Sequence, residues 1–160
     1  MSRRPGVGLA LGTAVLAAVL TGCAAPPESR LGDYEARAAK IHAELLEQLP
    51  ADRFVDTRSR AWFNESEWLV PAERQVAHWT TESTITLDDA PPAAAAALGE
   101  HLVAERWTAE SVVEADGFHS DVYRLSEADG EWIIEVSWND GRRLVVIVQS
   151  PVTVRGAGRT

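Results

Sequence analysis

Residues 131–150 read EWIIEVSWNDGRRLVVIVQS, and this stretch predicts a β-hairpin. In its first half Trp132, Ile134 and Val136 alternate mainly with polar residues, so one face of that strand is expected to be buried. Residues 139–141 are Asn-Asp-Gly, which is typical of a hairpin turn. The half after the turn is a continuous apolar run, as expected for a strand that is covered on both faces or lies centrally in a sheet.

Alternation and Asp-Gly turns extend this pattern along the C-terminal half of the chain. The strands predicted in this way are five, at residues 77–87, 108–115, 118–126, 131–138 and 143–150. Apolar residues at steps of three or four predict an amphipathic helix over residues 31–49, which Asp33 caps and Pro50 ends.

A second helix is expected after Asp88 or Asp89, because prolines such as Pro91 suit the first turn of a helix. Residues 51–75 are poorly patterned and are predicted to form loops with one short strand or helix. Together these elements predict an α+β fold, an antiparallel β-meander of about five strands with two helices packed on one face.

The composition is that of a folded, acidic protein. Of the 160 residues, 46% are hydrophobic and 24% are charged, and the formal net charge is −9. A surface of this sign repels phosphate backbones, so nucleic acid is not an expected partner.

The first 22 residues are predicted to be a signal peptide rather than part of the fold. Arg3 and Arg4 precede an uncharged apolar run, and the motif Leu20-Thr21-Gly22-Cys23 follows it directly. Cys23 is the only cysteine in the chain, and a lone thiol in an exported protein calls for an explanation.

The motif Leu20-Thr21-Gly22-Cys23 resembles the lipobox of bacterial lipoproteins, in which small residues precede an obligatory cysteine. The resemblance implies that the thiol of Cys23 receives a diacylglyceryl group, that cleavage occurs just before it, and that the protein is anchored in the cell membrane on the extracytoplasmic side. The Ala- and Arg-rich usage, with Lys40 as the only lysine, is similar to that of small actinobacterial lipoproteins of unassigned function. An uncleaved helix that spans the membrane is the alternative for this apolar segment.

These considerations divide the chain into four segments. They are a signal peptide at 1–22, a lipid-anchored flexible tether at 23–32, a single α+β domain at 33–150 and a C-terminal tail at 151–160.

Motifs for common enzyme classes are absent from the sequence, including the P-loop, the zinc-protease and the serine-hydrolase signatures. His119 and Asp121 lie two apart on a predicted strand, where both side chains share a face and could hold a metal or pair an imidazole with a carboxylate. A solvated strand face is the simpler interpretation. Glu131 and Glu135 similarly share a face and could act as an acid–base pair, although acidic residues of this kind also keep a sheet soluble.

Aromatic residues offer the other candidate site. Trp62, Phe63 and Trp68 lie in the poorly patterned stretch and are candidates for an exposed contact patch, whereas packing onto the core is the alternative. His42 is expected on the polar side of the first helix. No cofactor, metal or catalytic residue is assigned. The sequence thus favours a tethered, non-enzymatic module that binds an envelope protein or a small ligand, the alternative being an envelope hydrolase or metal-dependent enzyme using His119 and Asp121 or acidic residues.

Overall fold

The computed structural model describes residues 28–51, 53–64, 70–88, 91–115, 117–139 and 141–156. Two α-helices and seven strands form within them, together with a short 3₁₀ turn, Ala72–Arg74. The helices are α1 (Leu31–Glu47) and α2 (Pro91–Ala104). The strands are β1 (Phe54–Phe63), β2 (Val76–Thr86), β3 (Thr108–Ala115), β4 (Phe118–Glu127), β5 (Gly130–Asn139), β6 (Arg143–Gln149) and β7 (Thr153–Val154).

The strands form one antiparallel sheet in the order β1-β2-β6-β5-β4-β3, and the short β7 pairs with the start of β2. This order joins a β1–β2 hairpin to a four-stranded meander, β3 to β6. The join is the pairing of β2 with β6, in which Thr80 lies opposite Gln149 and Thr86 opposite Arg143. Helix α2 carries the chain from β2 across to the far edge strand β3. The central position of β6 accounts for its continuous apolar run.

The α+β class and the antiparallel sheet agree with the sequence-based expectation, but the strand count does not. The sheet has seven strands rather than about five. β1 lies in the stretch 51–75 that was expected to be mostly loop, and β7 lies in the expected C-terminal tail. The meander is confined to four strands, because β2 joins β6 and not β3.

Both helices pack on the same face of the sheet, and the core lies between them and it. On α1, the ring of Tyr34 meets that of Trp132 on β5 edge to face at 5.6 Å between centroids. On α2, Gly99 lies directly against the hydroxyl of Tyr123 on β4, so closely that a Cβ at this position would be 2.4 Å from the oxygen. The fully buried aliphatic side chains of this layer include Leu45, Ile85, Leu98, Ile134, Leu144 and Val146.

Helix α1 also contacts the β1–β2 hairpin through a seam of hydroxyl groups. His42 Nε2 lies 2.5 Å from Ser83 Oγ, and the same oxygen lies 2.7 Å from Thr57 Oγ1 on β1. At the next inward position of the β1–β2 strand pair, Ser59 Oγ and Thr81 Oγ1 are 3.1 Å apart. Two inward positions of β1, Thr57 and Ser59, are therefore polar, which interrupts the hydrophobic alternation that would have marked it as a strand.

The first and last residues that the structure describes lie side by side at one end of the sheet, which we call the proximal end (residues 28–31, 62–63, 74–78, 127–131 and 151–156). The backbone N–H of Arg30 donates to Thr153 Oγ1 at 3.3 Å, and its guanidinium pairs with Asp129 at 3.0 Å. Leu31 is completely buried and begins α1, so the predicted tether at 23–32 is shortened at its C-terminal end. The predicted tail at 151–160 likewise contributes strand β7.

Candidate functional site

The face of the sheet opposite the helices, called the open face, consists of the even-numbered residues of β1, β2 and β4 and the odd-numbered residues of β5 and β6. Neither helix packs on it. Among the described residues six large apolar side chains are exposed, and four of them lie on this face: Phe54, Trp62, Val76 and Phe118. Partly exposed aliphatic side chains continue the surface across its centre, namely Val122, Ile133, Val145 and Ile147.

The charges of the open face cancel. It carries four carboxylates and four guanidinium groups on these strands, which are Asp56, Glu82, Glu131, Glu135, Arg58, Arg60, Arg124 and Arg143. Arg124 pairs with Glu110 at the bulge of β3 and with Glu131, the latter at 2.7 Å. Since the chain as a whole has a net charge of −9, this face is neutral against an acidic background.

Glu135 lies near the centre of the open face in a small polar cluster. Its Oε1 accepts hydrogen bonds from Ser120 at 2.9 Å and from Ser137 at 2.8 Å. Glu131 lies four residues away along the same strand, which separates the two Cα atoms by about 13 Å. The two carboxylates share a face as predicted, but they are held by different partners and do not form an acid–base pair in this arrangement.

His119 and Asp121 also share a face as predicted, and it is the helix-covered one. The imidazole of His119 stacks on Trp138, with 5.4 Å between ring centroids and planes 14° apart. Burial raises the pKa of the Asp121 carboxyl, while the Tyr123 hydroxyl, which donates to it at 3.5 Å, and His119 act in the opposite direction. In the part of the chain that the structure describes, no group of three His, Cys, Asp or Glu side chains is placed to hold a metal ion.

The predicted contact patch of Trp62, Phe63 and Trp68 is not one surface. Trp62 and Phe63 are neighbours on β1 and so point to opposite faces of the sheet. Trp62 is 43% exposed on the open face with the guanidinium of Arg60 3.7 Å from its ring centre, whereas Phe63 is partly buried beneath Arg155. Trp68 lies outside the described residues.

His42 was expected on the polar side of the first helix, but it is only 7% exposed. Burial lowers its pKa, so the neutral imidazole is favoured. A serine hydroxyl beside a histidine is the arrangement of an activated nucleophile. Ser83, however, is completely buried, so no substrate can reach it and the pair serves the packing of α1.

Two grooves lie beside the helices. One, of about 320 Å³, runs between α1 and α2 and is lined by residues that include Lys40, Ile41, His101 and Trp107. The other, of about 710 Å³, lies where α2 leads into β3, and its lining includes the ion-paired Arg124, Glu110 and Glu131. The second groove is acidic, because its lining carries four carboxylates and two arginines. Within it Arg124 is already paired with Glu110 and Glu131.

Comparison with protein-family models, with curated proteins and with solved structures gives no match for this chain. Within the described ranges, neither helix has the length and apolar character needed to span a bilayer. The apolar segment before Cys23 lies outside those ranges.

Sequence reasoning missed Phe54, Val76 and Phe118 as candidate contact residues. Phe118 follows a Gly at a hairpin turn and Phe54 begins an unrecognised strand, so neither position could be assigned to a face. The apolar run of β6 does contain a signal for an exposed apolar surface. If both helices cover one face of the sheet, only alternate residues of this run can contact them, and the others must lie on the opposite face.

Proposed function

We propose that this chain is an exported, lipid-anchored envelope protein that binds another protein through its open face. The single observation that carries the binding role is the exposed, charge-balanced sheet surface with four exposed large apolar side chains. Hydrolytic and metal-dependent roles receive less support, because His119 is stacked on Trp138 and no third metal ligand accompanies it and Asp121 in the described part of the chain.

The anchor is supported by the sequence at Cys23. Each buried methylene of an acyl chain contributes about 0.8 kcal/mol, so a single chain binds marginally and two give stable attachment. A diacylglyceryl group on the only cysteine would therefore hold the domain at the membrane without a spanning helix. The net negative charge of the domain does not attract it to anionic lipids. A covalent lipid anchor is therefore the effective means of attachment.

The size of the open face suits a protein partner. The five strands of the open face, each about 4.8 Å wide and up to about 30 Å long, give roughly 700 Å². A stable protein–protein interface uses about 800 Å² on each partner. Aromatic side chains and arginines are enriched in such interfaces, and both occur on this face, as with the exposed Phe54 and Phe118 and the arginines Arg58 and Arg143.

The anchor is tested by intact mass and by fractionation. The mature protein should start at Cys23 and carry the mass of a diacylglyceryl group, and a Cys23→Ser variant should leave the membrane fraction. A bare thiol on the full-length chain would refute the lipid anchor.

The binding role is tested by photo-crosslinking in intact cells. A crosslinking residue in place of Phe118, which is 47% exposed on the open face, should capture a partner, whereas one in place of Val103, which is 56% exposed on α2, should not. The captured protein is then purified and titrated. Phe118→Glu should weaken binding at least tenfold and Val103→Glu should not; equal effects of the two, or no adduct from the open face, would refute the proposal.

A further inference from the structure

The path of the chain towards Cys23 is fixed at the proximal end of the domain. Ser29 lies against Gly156, where an added Cβ would be 2.4 Å from the Cβ of Ser29. Arg30 is held by Thr153 and Asp129 as described above. The guanidinium of Arg30 also lies 5.3 Å from the ring centre of Tyr34 on α1. The chain therefore leaves the domain at the end of the sheet where β7 and the β4–β5 turn lie.

Little chain remains between that point and the proposed anchor. Only Ala24, Ala25, Pro26 and Pro27 separate Cys23 from Glu28. Five Cα–Cα steps, even fully extended, span at most about 18 Å. A lipid on Cys23 would thus keep the proximal end within about 18 Å of the acyl-chain boundary, while the opposite end of a ten-residue strand lies about 30 Å farther along the sheet.

The proximal end carries side chains that suit a membrane interface. Trp62 is 43% exposed, Val76 is 38% exposed and Val152 is 61% exposed. Val76 pairs with Val154 across β2 and β7, so Val152 adjoins the same small apolar surface. Tryptophan is enriched where bilayer meets water, because its ring is apolar and its N–H is polar.

Arginines flank this apolar surface. Arg60 lies over the ring of Trp62 and Arg155 over that of Phe63, while Arg74 is exposed just before β2. Their long apolar stems can lie along the interface while the charged heads reach lipid phosphates. Carboxylates also lie at the proximal end. Asp129 pairs with Arg30 and Glu127 with Arg37, while Glu28 is exposed.

We infer that the proximal end docks on the bilayer surface, with Trp62, Val76 and Val152 in the head-group region. This inference rests on the lipid anchor proposed above. The sheet then stands away from the membrane, and the distal part of the open face, with Phe54 and Phe118, is presented to partners. The small apolar surface formed by Trp62, Val76 and Val152 then contacts the lipid head groups and not a second copy of the chain.

Site-specific fluorescence quenching tests the docking. Lipidation uses the only native cysteine, so an introduced one is the single free thiol of the mature protein. Val152→Cys and Phe54→Cys, at positions 61% and 70% exposed, form a matched pair at the two ends of the sheet. Each lipidated protein is labelled with a small fluorophore and reconstituted into phosphatidylethanolamine–phosphatidylglycerol vesicles in which part of the lipid is brominated near the head group.

The brominated lipid should quench the label at position 152 at least twofold more strongly than the label at position 54. Equal quenching, or stronger quenching at position 54, would overturn the docking. The mass of the same preparations separates the two proposals: absence of the lipid refutes the anchor, whereas its presence with equal quenching refutes only the orientation. The alternative occupant of this surface is a second copy of the chain. In Cys23→Ser protein without vesicles, such self-association would protect the label at position 152 from quenching by aqueous iodide. That protection would also overturn the inference.

Discussion

The contact between Gly99 and Tyr123 predicts that Gly99→Ala destabilises the native protein but stabilises a Tyr123→Phe variant. Alanine is favoured over glycine within a helix by about 1 kcal/mol, so Gly99→Ala would stabilise an unobstructed α2. Here the new Cβ would lie 2.4 Å from the Tyr123 oxygen, far inside contact distance. Tyr123 is only 5% exposed, so it cannot swing into solvent to make room.

Overpacking of a core typically costs about 1–3 kcal/mol. Gly99→Ala should therefore destabilise the domain by up to about 2 kcal/mol after the gain in helix propensity is included. Removing the oxygen leaves the ring carbon Cζ as the nearest of the remaining ring atoms, at 3.4 Å, which is ordinary contact. In the Tyr123→Phe background the same substitution should therefore stabilise the domain by up to about 1 kcal/mol.

Urea unfolding followed by tryptophan fluorescence measures the four free energies of this double-mutant cycle. Tyr123→Phe alone should cost less than about 1 kcal/mol, because among the described residues the hydroxyl makes a single long hydrogen bond, to Asp121 at 3.5 Å. The coupling energy should then equal the overpacking cost, about 1–3 kcal/mol. If Gly99→Ala destabilises both backgrounds equally, α2 does not lie against β4 at this residue.

Two further outcomes follow from the core. Leu31→Ala should lower the free energy of unfolding by about 2–5 kcal/mol, because the side chain is completely buried. Glu47→Ala, on the exposed side of α1, should change the free energy of unfolding little. Equal urea midpoints for the two variants would show that the domain begins after residue 31. Burial lowers the pKa of His42 below its value in the unfolded chain, so its neutral form stabilises the fold above the unfolded pKa of about 6.5 and that stability is lost as the pH falls. Thermal unfolding between pH 7.5 and 5 should show that His42→Gln loses less stability on acidification than the native protein does. Part of the loss that remains is attributed to His78, because burial lowers its pKa as well. An unchanged pH profile in His42→Gln would refute the buried neutral imidazole.

The sequence predicts those elements whose buried side is apolar. In β5, Trp132, Ile134 and Val136 face the helices and are completely buried, so alternation alone identifies both the strand and its inner face. In β1 the inward positions include Thr57 and Ser59, which bond to hydroxyls of β2 instead of packing against hydrocarbon. Periodicity of hydrophobic residues carries no information about such a strand.

The candidate surface was less predictable than the fold for a related reason. An open face is defined by what does not pack on it, and local sequence does not reveal where a distant helix lies. Val145 and Ile147 occupy the same apolar run as the buried Leu144 and Val146, and only the tertiary arrangement separates the two sets. Trp62 was singled out for its residue type, but its partner on the open face is Arg60 and not the adjacent Phe63.

The contact between Ser29 and Gly156 makes the fold suitable for circular permutation. Chain termini that lie together can be joined by a short linker, and new ends can be opened at a surface turn such as the one between β5 and β6. Such a permutant would retain every strand pairing, but its first residue would lie at the distal end of the sheet. A lipid anchor attached there would reverse the orientation of the domain at a membrane. The orientation therefore depends on the position of the N-terminus and not on the architecture of the sheet.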